Sequence, residues 1–432
     1  MLLDVAYLTG AIAASPFLLY KALTDRKYRT GFPERFGDVA PREGDGPCVW
    51  VHAVSVGEMT LVQPLVAALE AERPDWDLVL STATHTGRET AAKRYPEHRA
   101  LYFPLDFSWM VRRALRRIRP DLVLLVELEL WPNFLATAQR LGSPVAIVNG
   151  RISDRSFPRY RLIRPLVRRW LDRIALCCVQ NETYAERAVA LGADPERVVV
   201  TGNLKFDAAP ERAPECRDPE LAASFGLGMD EPLIVGGCTW PGEDEALVSI
   251  YQRLRADVPG LRLLLAPRQS ARFDAVEALV REAGLPCVRR TALQAGEEGS
   301  GDAVILLDTV GELAVVYGLG SVVFVGGSLI PRGGHNILEP AGLARPVLFG
   351  PHTANFRDIT DELLAREAAL CVADAAELEQ ALRRLLTDPP AAMALGARAR
   401  GVVDHHRGAT RRTLDALDGF FTAAPGEGST GR

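Results

Sequence analysis

Short apolar runs alternate with amphipathic helical stretches along most of this chain, and this alternation constrains its fold more than any other feature. Apolar runs of this length are typical of strands buried on both faces. Helices between such strands require that the strands run parallel. The pattern predicts strands at 48–54, 77–82, 121–127, 144–150, 174–180 and 197–202, and again at 232–237, 261–267, 303–308, 321–327, 346–350 and 369–374.

The alternation breaks at residues 207–231, which are rich in proline, alanine and acidic residues. A chain of 432 residues is long enough for a domain on each side of this break. We therefore predict an α/β protein with two tandem Rossmann-like, doubly wound domains and an N-terminal apolar anchor helix. The predicted boundaries are an anchor or interfacial helix (1–30), a first domain (31–206), an interdomain linker (207–231), a second domain (232–422) and a disordered tail (423–432).

The N-terminal segment 2–20 is mainly apolar and just long enough to cross a bilayer as a helix. Asp4 and Pro16 weaken a spanning interpretation, and the alternative is a buried amphipathic helix. Basic residues follow the apolar stretch, at 21–29, whereas a cleaved signal peptide has the opposite order. This order favours a membrane anchor or membrane-surface helix with the remainder of the chain in the cytoplasm.

Two arginine-rich stretches, 112–120 and 159–173, mix arginine with large apolar residues. Such a basic amphipathic face attracts anionic lipid headgroups, although either stretch alone fits a solvated helix face. The net charge of −5 argues against a protein that mainly neutralises nucleic acid. The seven cysteines include no CxxC pair, which is typical of reduced thiols in the cytosol. The two arginine-rich stretches and the apolar N-terminal segment together predict a substrate close to a membrane.

In doubly wound sheets, ligands bind beyond the carboxyl ends of the strands. HAVSVGE (52–58) ends the first strand and places Glu58 at a helix N-terminus, where the dipole would keep a general base ionised; otherwise Glu58 merely complements the dipole. ELELWPN (127–133) places Glu127 and Glu129 on the same side of an extended chain at a buried strand end, where carboxylates are costly outside a site. In GNLKFD (202–207), Lys205 either reaches an anionic substrate or pairs with Asp207 at the surface.

The second predicted domain carries the features of an anion site. Segments 236–245 and 308–313 place small residues at strand-to-helix turns. In 324–351, four glycines surround a turn into a helix predicted to begin at Asn336, and free amides there would bind phosphate. Glu339 is spaced to accept hydrogen bonds from a ribose, and Arg268 is a candidate phosphate cation.

Several of these motifs occur in one order: HAVSVGE, ELELWPN, VNGRIS with Ser156 following, GNLKFD, LAPR, DTVGEL and GGSLIPRGGHNILEPA. In this order they resemble the 3-deoxy-D-manno-octulosonic acid (Kdo) transferase family over nearly the whole chain. The resemblance implies the two-domain glycosyltransferase architecture called GT-B. It also implies transfer of Kdo from CMP-Kdo to the lipid A precursor, at the cytoplasmic face of the bacterial inner membrane.

By this resemblance, the first domain binds the acceptor and the second binds the CMP-sugar. Glu58 is then the proton acceptor, and Glu127 and Lys205 stabilise the transition state. The expected reaction is an in-line displacement with inversion that uses no cofactor and no metal; Asp75 and Asp77 are interpreted as a turn into a strand. The residues expected to hold CMP are Pro267, Arg268, Val310, Gly311, Glu312, Asn336, Ile337, Leu338 and Glu339.

Two segments depart from the family pattern. Many relatives have histidine, proline and glutamate where this chain has 269–271, and a histidine or similar polar residue where it has Trp240. Both departures lie on the nucleotide side, so we expect altered donor affinity. The alternatives left open are a nucleotide-sugar epimerase, a GT-B enzyme with another donor such as a UDP-hexosamine, and a non-catalytic nucleotide-binding protein attached to the membrane.

Overall fold

A computed structural model of the chain describes residues 3–5, 7–9, 15, 30–210, 217–296, 299 and 301–422. The chain divides into two compact units, one of residues 1–208 with 407–432 and one of residues 209–406. Within the described residues, each unit is built on one seven-stranded sheet whose neighbouring strands are parallel. The prediction of two α/β domains with parallel sheets is therefore confirmed.

The sheet of the first unit is buried on both faces. Its strands are β1 (Cys48–His52), β2 (Asp77–Thr82), β3 (Arg99–Tyr102), β4 (Leu122–Val126), β5 (Val145–Gly150), β6 (Leu176–Val179) and β7 (Val198–Val200). They are ordered β3-β2-β1-β4-β5-β6-β7. Successive side chains of a strand point to opposite faces, so Trp50 packs in one apolar core while Val49 and Val51 pack in the other.

Helices cover both faces of this sheet. They are α1 (Phe32–Arg35), α2 (Val56–Leu61), α3 (Gln63–Glu72), α4 (His85–Arg94), α5 (Ser108–Ile118), α6 (Pro132–Leu141), α7 (Phe157–Leu162), α8 (Arg164–Leu171) and α9 (Glu182–Leu191). Buried apolar residues on these helices, such as Leu65 and Leu115, close the two cores.

The second unit repeats this plan. Its strands are β8 (Leu233–Thr239), β9 (Arg262–Pro267), β10 (Cys287–Arg289), β11 (Val304–Leu306), β12 (Val322–Val325), β13 (Val347–Phe349) and β14 (Leu370–Cys371), in the order β10-β11-β9-β8-β12-β13-β14. Its helices are α10 (Pro219–Ser224), α11 (Glu243–Leu254), α12 (Phe273–Glu282), α13 (Arg290–Gln294), α14 (Leu313–Val316), α15 (Leu338–Gly342), α16 (Arg357–Ala365), α17 (Ala375–Thr387) and α18 (Pro389–His406).

Strand order locates the place in each unit where a ligand is expected. In the first unit, the strand order reverses between β1 and β4, and in the second between β8 and β12. The crevice at the carboxyl ends of the two strands that flank such a reversal is the usual ligand site of a doubly wound sheet. Glu58 and Glu127 follow β1 and β4, whereas Trp240 and the glycine-rich segment follow β8 and β12.

The C-terminal helix corrects one predicted boundary. Helix α19 (Ala409–Thr422) belongs to the first unit, although the sequence analysis placed residues up to 422 in the second domain. Leu414 and Leu417 are buried in the first unit's core, and the rings of Trp76 and Phe421 meet edge to face with centroids 5.2 Å apart. The amphipathic pattern shows that a helix has an apolar face, but it does not show which sheet that face covers. The predicted tail, 423–432, lies outside the described residues.

The predicted linker also differs from the structure. Residues 209–231 are grouped with the second unit, and α10 forms within them. Asp218 caps α10 by accepting hydrogen bonds from the N–H groups of Glu220 and Leu221, and Phe225 is buried directly after the helix. Because proline is favoured in the first turn of a helix, the Asp-Pro sequence that was interpreted as a linker is a helix start. Residues 211–216 lie outside the described residues.

Most of the predicted anchor, 2–20, lies outside the described residues; those described in 3–5 and 7–9 are helical. They contact the first unit: the N–H of Ser108 donates to Asp4 Oδ1 at 2.8 Å, and Tyr7 donates to Asp106 at 3.2 Å. Of the helices in the described part of the chain, none combines the length and the hydropathy needed to span a bilayer.

Candidate active site

Glu58 lies at the start of α2, directly beyond β1. Ser55 caps this helix: its hydroxyl accepts from the N–H of Glu58 and donates to Glu58 Oε1 at 3.2 Å. The other carboxylate oxygen, Oε2, accepts from the N–H of Val54 at 2.8 Å. This reciprocal arrangement is close to a capping box, so the Ser-Val-Gly-Glu sequence fixes both the helix start and the position of the carboxylate.

The protonation of Glu58 differs from the expectation. Burial raises the pKa of Glu58 to about 7; the N–H of Val54 opposes this rise, and the charge of Glu127 adds to it. The prediction that the helix dipole keeps Glu58 fully ionised at neutral pH is therefore wrong. The free energy lost when a carboxylate is removed from water exceeds the stabilisation that a short helix provides. This balance depends on burial, which the motif does not show.

Glu127 and Glu129 follow β4. Glu127 adopts a left-handed backbone conformation with φ of 59°, and its N–H donates to the carbonyl of Val148 at 2.9 Å. The chain is therefore not extended at this point, contrary to the prediction that the two side chains share one face of a strand. Burial, together with the negative charges of Glu58 and Glu127, raises the pKa of Glu129 to about 7. The three carboxylates thus lie within electrostatic reach of one another.

Lys205 lies in the turn that follows the last strand of the first sheet, and its positive charge lowers the pKa of Glu58. The alternative prediction for this motif was a surface salt bridge between Lys205 and Asp207. The carboxylate oxygens of Asp207 accept hydrogen bonds from the N–H groups of Gly408 and Thr410, at 2.8 and 2.5 Å, at the start of α19. The GNLKFD motif therefore combines a cation close to Glu58 with a cap for the C-terminal helix.

Asn149 is a residue of this site that the sequence analysis did not single out. It is fully buried at the end of β5, with φ of 56°. Its Oδ1 accepts from the N–H of Leu204 at 2.9 Å, which holds the turn that carries Lys205. Its carbonyl accepts from Gln180 Nε2 at 3.0 Å. An asparagine before glycine at a strand end is a recognisable signal for a left-handed residue, and this signal could have identified Asn149.

His52, which opens the first motif, is part of the core. Its ring stacks on Phe103 with centroids 3.7 Å apart, and its Nδ1 lies 3.0 Å from the hydroxyl of Ser81. Complete burial lowers the pKa of His52 to about 3, so the ring is neutral at physiological pH. The motif therefore carries one residue that supports the sheet and one, Glu58, that faces the site.

In the second unit, the glycine-rich segment after β12 binds a carboxylate of the protein itself. The N–H groups of Gly327, Ser328 and Leu329 donate to the fully buried Glu243 at 2.7, 3.0 and 3.0 Å. A Cβ atom at Gly326 would lie 2.7 Å from Glu243 Oε2, so glycine is required there. The amides of these three residues are therefore not free for a phosphate, because Glu243 already satisfies them.

The helix in the segment expected to hold CMP begins later than predicted. Helix α15 begins at Leu338, and the N–H of Leu338 donates to Asn336 Oδ1 at 3.2 Å. Asn336 Nδ2 donates to Glu339 Oε1 at 3.0 Å. Burial raises the pKa of Glu339, and the hydrogen bond from Asn336 opposes that rise. Asn336 and Glu339 thus form one unit, which fits a site for hydroxyl groups.

Arg268 directly follows β9, and Pro267 ends that strand. The N–H of Arg268 donates to the carbonyl of Thr239 at 3.0 Å, while its side chain is exposed. The positive charge of Arg268 contributes to lowering the pKa of His335, and it opposes the rise that burial causes in the pKa of Cys238. This cation therefore lies at the carboxyl ends of the strands near the loop after β12, as the sequence analysis expected.

The expected CMP segment 310–312 forms a turn before α14. Val310 is 91% exposed, and Gly311 has φ of 102°. The carboxylate of Glu312 lies 3.2 Å from the guanidinium of Arg290. Burial would raise the pKa of Glu312, but hydrogen bonds from Thr309 and Arg290 lower it overall. The turn therefore presents an apolar side chain to solvent beside a carboxylate held in its ionised form.

The two departures from the family pattern lie in the second unit, and the first, 269–271, directly precedes a residue that pairs with a buried carboxylate. Residues 270–272 form a 3-10 turn, and Arg272 Nη2 donates to the buried Asp244 at 2.5 Å. Asp244 also accepts from the hydroxyl of Thr239 at 2.5 Å. The other departure, Trp240, contacts His335.

Comparison with known proteins identifies several relatives. A family model described as 3-deoxy-D-manno-octulosonic-acid transferase matches residues 30–208. Two proteins named 3-deoxy-D-manno-octulosonic acid transferase are similar: that of Haemophilus influenzae is 33% identical, covering 91% of this chain and 92% of the relative, and that of Bordetella pertussis is 37% identical, covering 90% and 91%. A bifunctional glycosyltransferase/methyltransferase of Fusobacterium nucleatum is 34% identical over 85% of this chain, which spans 57% of that longer protein.

Solved structures show the same fold. A UDP-GlcNAc 2-epimerase from Neisseria meningitidis superposes with a TM-score of 0.57, covering 86% of this chain and all of that chain, at 12% identity. A C-terminal CMP-Kdo binding domain from Acinetobacter baumannii is 32% identical and covers 43% of this chain and 94% of that chain, with a TM-score of 0.40. Sequence similarity over nine tenths of two named relatives, together with two parallel-sheet α/β units consistent with the GT-B architecture, shows that this chain belongs to the 3-deoxy-D-manno-octulosonic acid transferase family of glycosyltransferases.

Proposed function

We propose that this chain transfers Kdo from CMP-Kdo to a hydroxyl group of the lipid A precursor in lipopolysaccharide biosynthesis, with Glu58 as the general base. The observation that carries the proposal is the state of Glu58: a half-buried, doubly hydrogen-bonded carboxylate with a pKa of about 7, near Glu127 and Lys205. A base whose pKa matches the working pH combines ionisation with the strongest attraction for a proton.

In the proposed reaction, Glu58 removes the proton of the acceptor hydroxyl as its oxygen attacks the anomeric carbon of Kdo. The new glycosidic C–O bond forms while the bond from that carbon to the phosphate oxygen breaks, and CMP leaves with the electron pair. Displacement from the opposite face inverts the anomeric configuration. Lys205 offsets negative charge on the donor, and Glu127 offsets positive charge that develops on the sugar.

We assign the donor to residues of the second unit, with CMP-Kdo as a substrate and no cofactor or metal. The exposed guanidinium of Arg268 fits the phosphate. The exposed side chain of Val310 offers an apolar surface to the nucleobase. Glu339, held by Asn336, fits the ribose hydroxyl groups. The neighbouring residues Pro267, Gly311, Glu312, Ile337 and Leu338 complete the proposed CMP site.

The test is transfer from CMP-Kdo, regenerated in situ, to tetraacyl lipid A precursor in detergent, followed by the mass of the lipid. We expect the mass to rise by one or more Kdo units. Competition by CMP but not by UDP would separate this donor from a UDP-hexosamine. Conversion of a free nucleotide sugar without any lipid would instead support an epimerase, and CMP binding without turnover would support a non-catalytic protein.

The same proposal places the chain at the inner membrane, with both units on the cytoplasmic side. Support comes from exposed apolar side chains among arginines on the first unit. Leu162, at the end of α7, is 84% exposed, and Trp109, on α5, is 52% exposed. Arg161 and Arg113 lie beside them on the same helices and are also exposed. Apolar side chains flanked by cations suit the headgroup region of an anionic bilayer.

Flotation with vesicles that contain phosphatidylglycerol tests this location. Leu162→Asp adds a negative charge to the proposed membrane face, so we expect the fraction of protein bound to vesicles to fall. Met393→Asp is the matched control, because Met393 is 74% exposed on α18 of the second unit. Equal binding of both variants and the unchanged protein would contradict the proposed face.

A further inference from the structure

Trp240 contacts the histidine that precedes the expected CMP segment. Its indole Nε1–H donates to His335 Nε2 at 3.0 Å, and the two ring planes lie 8° apart with centroids separated by 6.5 Å. An indole nitrogen is a donor only, so the nitrogen that accepts its proton must be unprotonated. In neutral His335, the ring proton is therefore on Nδ1.

The loop after β12 holds this histidine in place. Gly327 has φ of 66°, and a Cβ atom there would lie 2.8 Å from His335 Cδ2. The N–H of Gly334 donates to the carbonyl of Gly327 at 2.8 Å. Because Glu243 also fixes the N–H of Gly327, the imidazole is packed against a part of the loop that is anchored from within. The close approach of ring and backbone leaves little freedom for the ring to turn.

The charged groups around His335 favour its neutral form. Burial lowers the pKa of His335 to about 4, and the positive charge of Arg268 contributes. The guanidinium of Arg332 lies 4.5 Å from the centroid of the Trp240 ring and adds a second positive charge nearby. The carboxylate of Glu243 is the neighbouring negative group, and its oxygens accept the loop amides and the N–H of Trp240. His335 is therefore neutral throughout the physiological range.

We propose that Trp240 is a positioning residue of the donor site: it fixes the proton of His335 on Nδ1, so that this N–H and the Arg268 guanidinium together bind an oxyanion of the CMP-activated sugar. The inference rests on the proposed function and deepens it. A histidine at position 240 would be able to donate or accept. The indole of Trp240 can only donate a hydrogen bond, so the position of the ring proton is fixed. Binding of the CMP-activated sugar then does not depend on the ionisation of His335.

The oxyanion is either the phosphate or the carboxylate of the sugar, and the test separates them. CMP carries the phosphate alone, whereas CMP-Kdo carries both groups. Trp240→Phe keeps an aromatic ring but removes the indole N–H. We expect the affinity for CMP, measured by calorimetry, to fall about three- to tenfold if the phosphate is bound. If the sugar carboxylate is bound, CMP affinity stays unchanged and the KM for CMP-Kdo rises by that factor.

Nitrogen-15 NMR of the histidine ring provides a readout that does not depend on activity. In the unchanged protein we expect His335 to show the Nδ1–H form from pH 5 to 8. In Trp240→Phe we expect mixed ring forms and a higher pKa, so that ligand affinity acquires a pH dependence between 5 and 7. Trp76→Phe is the matched control, because Trp76 packs on Phe421 in the first unit.

Variants of His335 itself complete the test. An asparagine side chain carries an N–H close to the position of Nδ1, so His335→Asn should retain more ligand affinity than His335→Ala. Unchanged ring form, CMP affinity and KM in Trp240→Phe would overturn the inference. Failure of the proposed function would look different: the unchanged protein would show the fixed ring form and bind CMP, but would transfer no Kdo.

Discussion

The two units place different chemistry at equivalent points of similar sheets. Beyond β1 and β4, where the strand order of the first unit reverses, lie Glu58 and Glu127. Beyond β8 and β12 in the second unit lie Trp240 and His335, close to Arg268. The first set consists of carboxylates, which can accept protons and carry negative charge; the second is cationic or neutral and can donate hydrogen bonds. The strand order therefore determines where each site lies, and the residues at the strand ends determine its chemistry.

The units also use their own carboxylates differently. Glu58 is half-buried, and burial raises its pKa to about 7 although two hydrogen-bond donors oppose the rise. Glu243 is fully buried and accepts the N–H groups of Gly327, Ser328 and Leu329, so it supports the loop. The difference shows why a glutamate at a strand-to-helix turn cannot be assigned a role from its position alone. The number of donors and the access to solvent decide that role.

Removing the proposed base should have the largest effect on this comparison. Glu58→Gln keeps the size of the side chain but cannot take a proton, so we expect the transfer rate to fall by about 10²–10⁴ while CMP affinity stays unchanged. Glu70→Gln, on the exposed surface of α3, is the control. Near-normal turnover of Glu58→Gln would remove Glu58 from its proposed role.

Removing Glu243, the carboxylate that binds the loop after β12, tests the same contrast in the second unit. Glu243→Ala leaves four buried or half-buried N–H groups, those of Trp240, Gly327, Ser328 and Leu329, without their acceptor, and we expect the free energy of unfolding to fall by at least about 2 kcal/mol. Hydrogen exchange should accelerate in the peptide that contains residues 327–329. Glu282→Ala, an exposed change at the end of α12 in the same unit, is the control. Unaltered exchange at 327–329 would mean that another group accepts these amides.

Removing the exposed cation should weaken donor binding in the second unit without affecting proton transfer in the first. For Arg268→Ala we expect the KM for CMP-Kdo to rise about 10- to 100-fold, which corresponds to the loss of a charge-assisted hydrogen bond. Arg281→Ala is the control, because Arg281 is an exposed arginine on α12 paired with Glu277. An equal rise in KM for both variants would show a general effect of charge.

The smallest expected effect is a shift in pH dependence. Since protonated Glu58 cannot act as a base, kcat/KM should fall below a pH of about 7. Glu129→Gln removes a negative charge that interacts with Glu58, which makes ionised Glu58 more favourable and lowers its pKa. We therefore expect the acidic limb of the profile to move to lower pH. A limb that stays in place would show that another group controls the profile.

The core strands of both sheets could be predicted from the sequence to within a few residues, whereas β3 and β10 were missed. Both are edge strands of three or four residues. β3 and β10 are only four and three residues long and each includes an arginine, so neither shows the long apolar run of a strand with neighbours on both sides. Edge strands form because a neighbouring strand offers unpaired backbone groups, and that information lies elsewhere in the chain.

For the candidate site, the motifs located Glu58, Glu127, Lys205 and Arg268 at the strand ends, because the carboxyl ends of parallel strands meet at one edge of a sheet. Asn149 was missed because its role depends on Leu204, a residue distant in sequence. The occupation of the loop amides by Glu243 was missed for the same reason.

The sequence by itself determined the core strands, their parallel arrangement in two domains and the family, because apolar periodicity and motif order are local properties of the chain. Only the tertiary structure decided that α19 packs in the first unit, that Glu58 has a pKa of about 7 and that Trp240 sets the ring proton of His335. Each of these depends on burial or on contacts between residues far apart in sequence. Burial controls the free energy of a charge, and distant contacts decide which donor meets which acceptor.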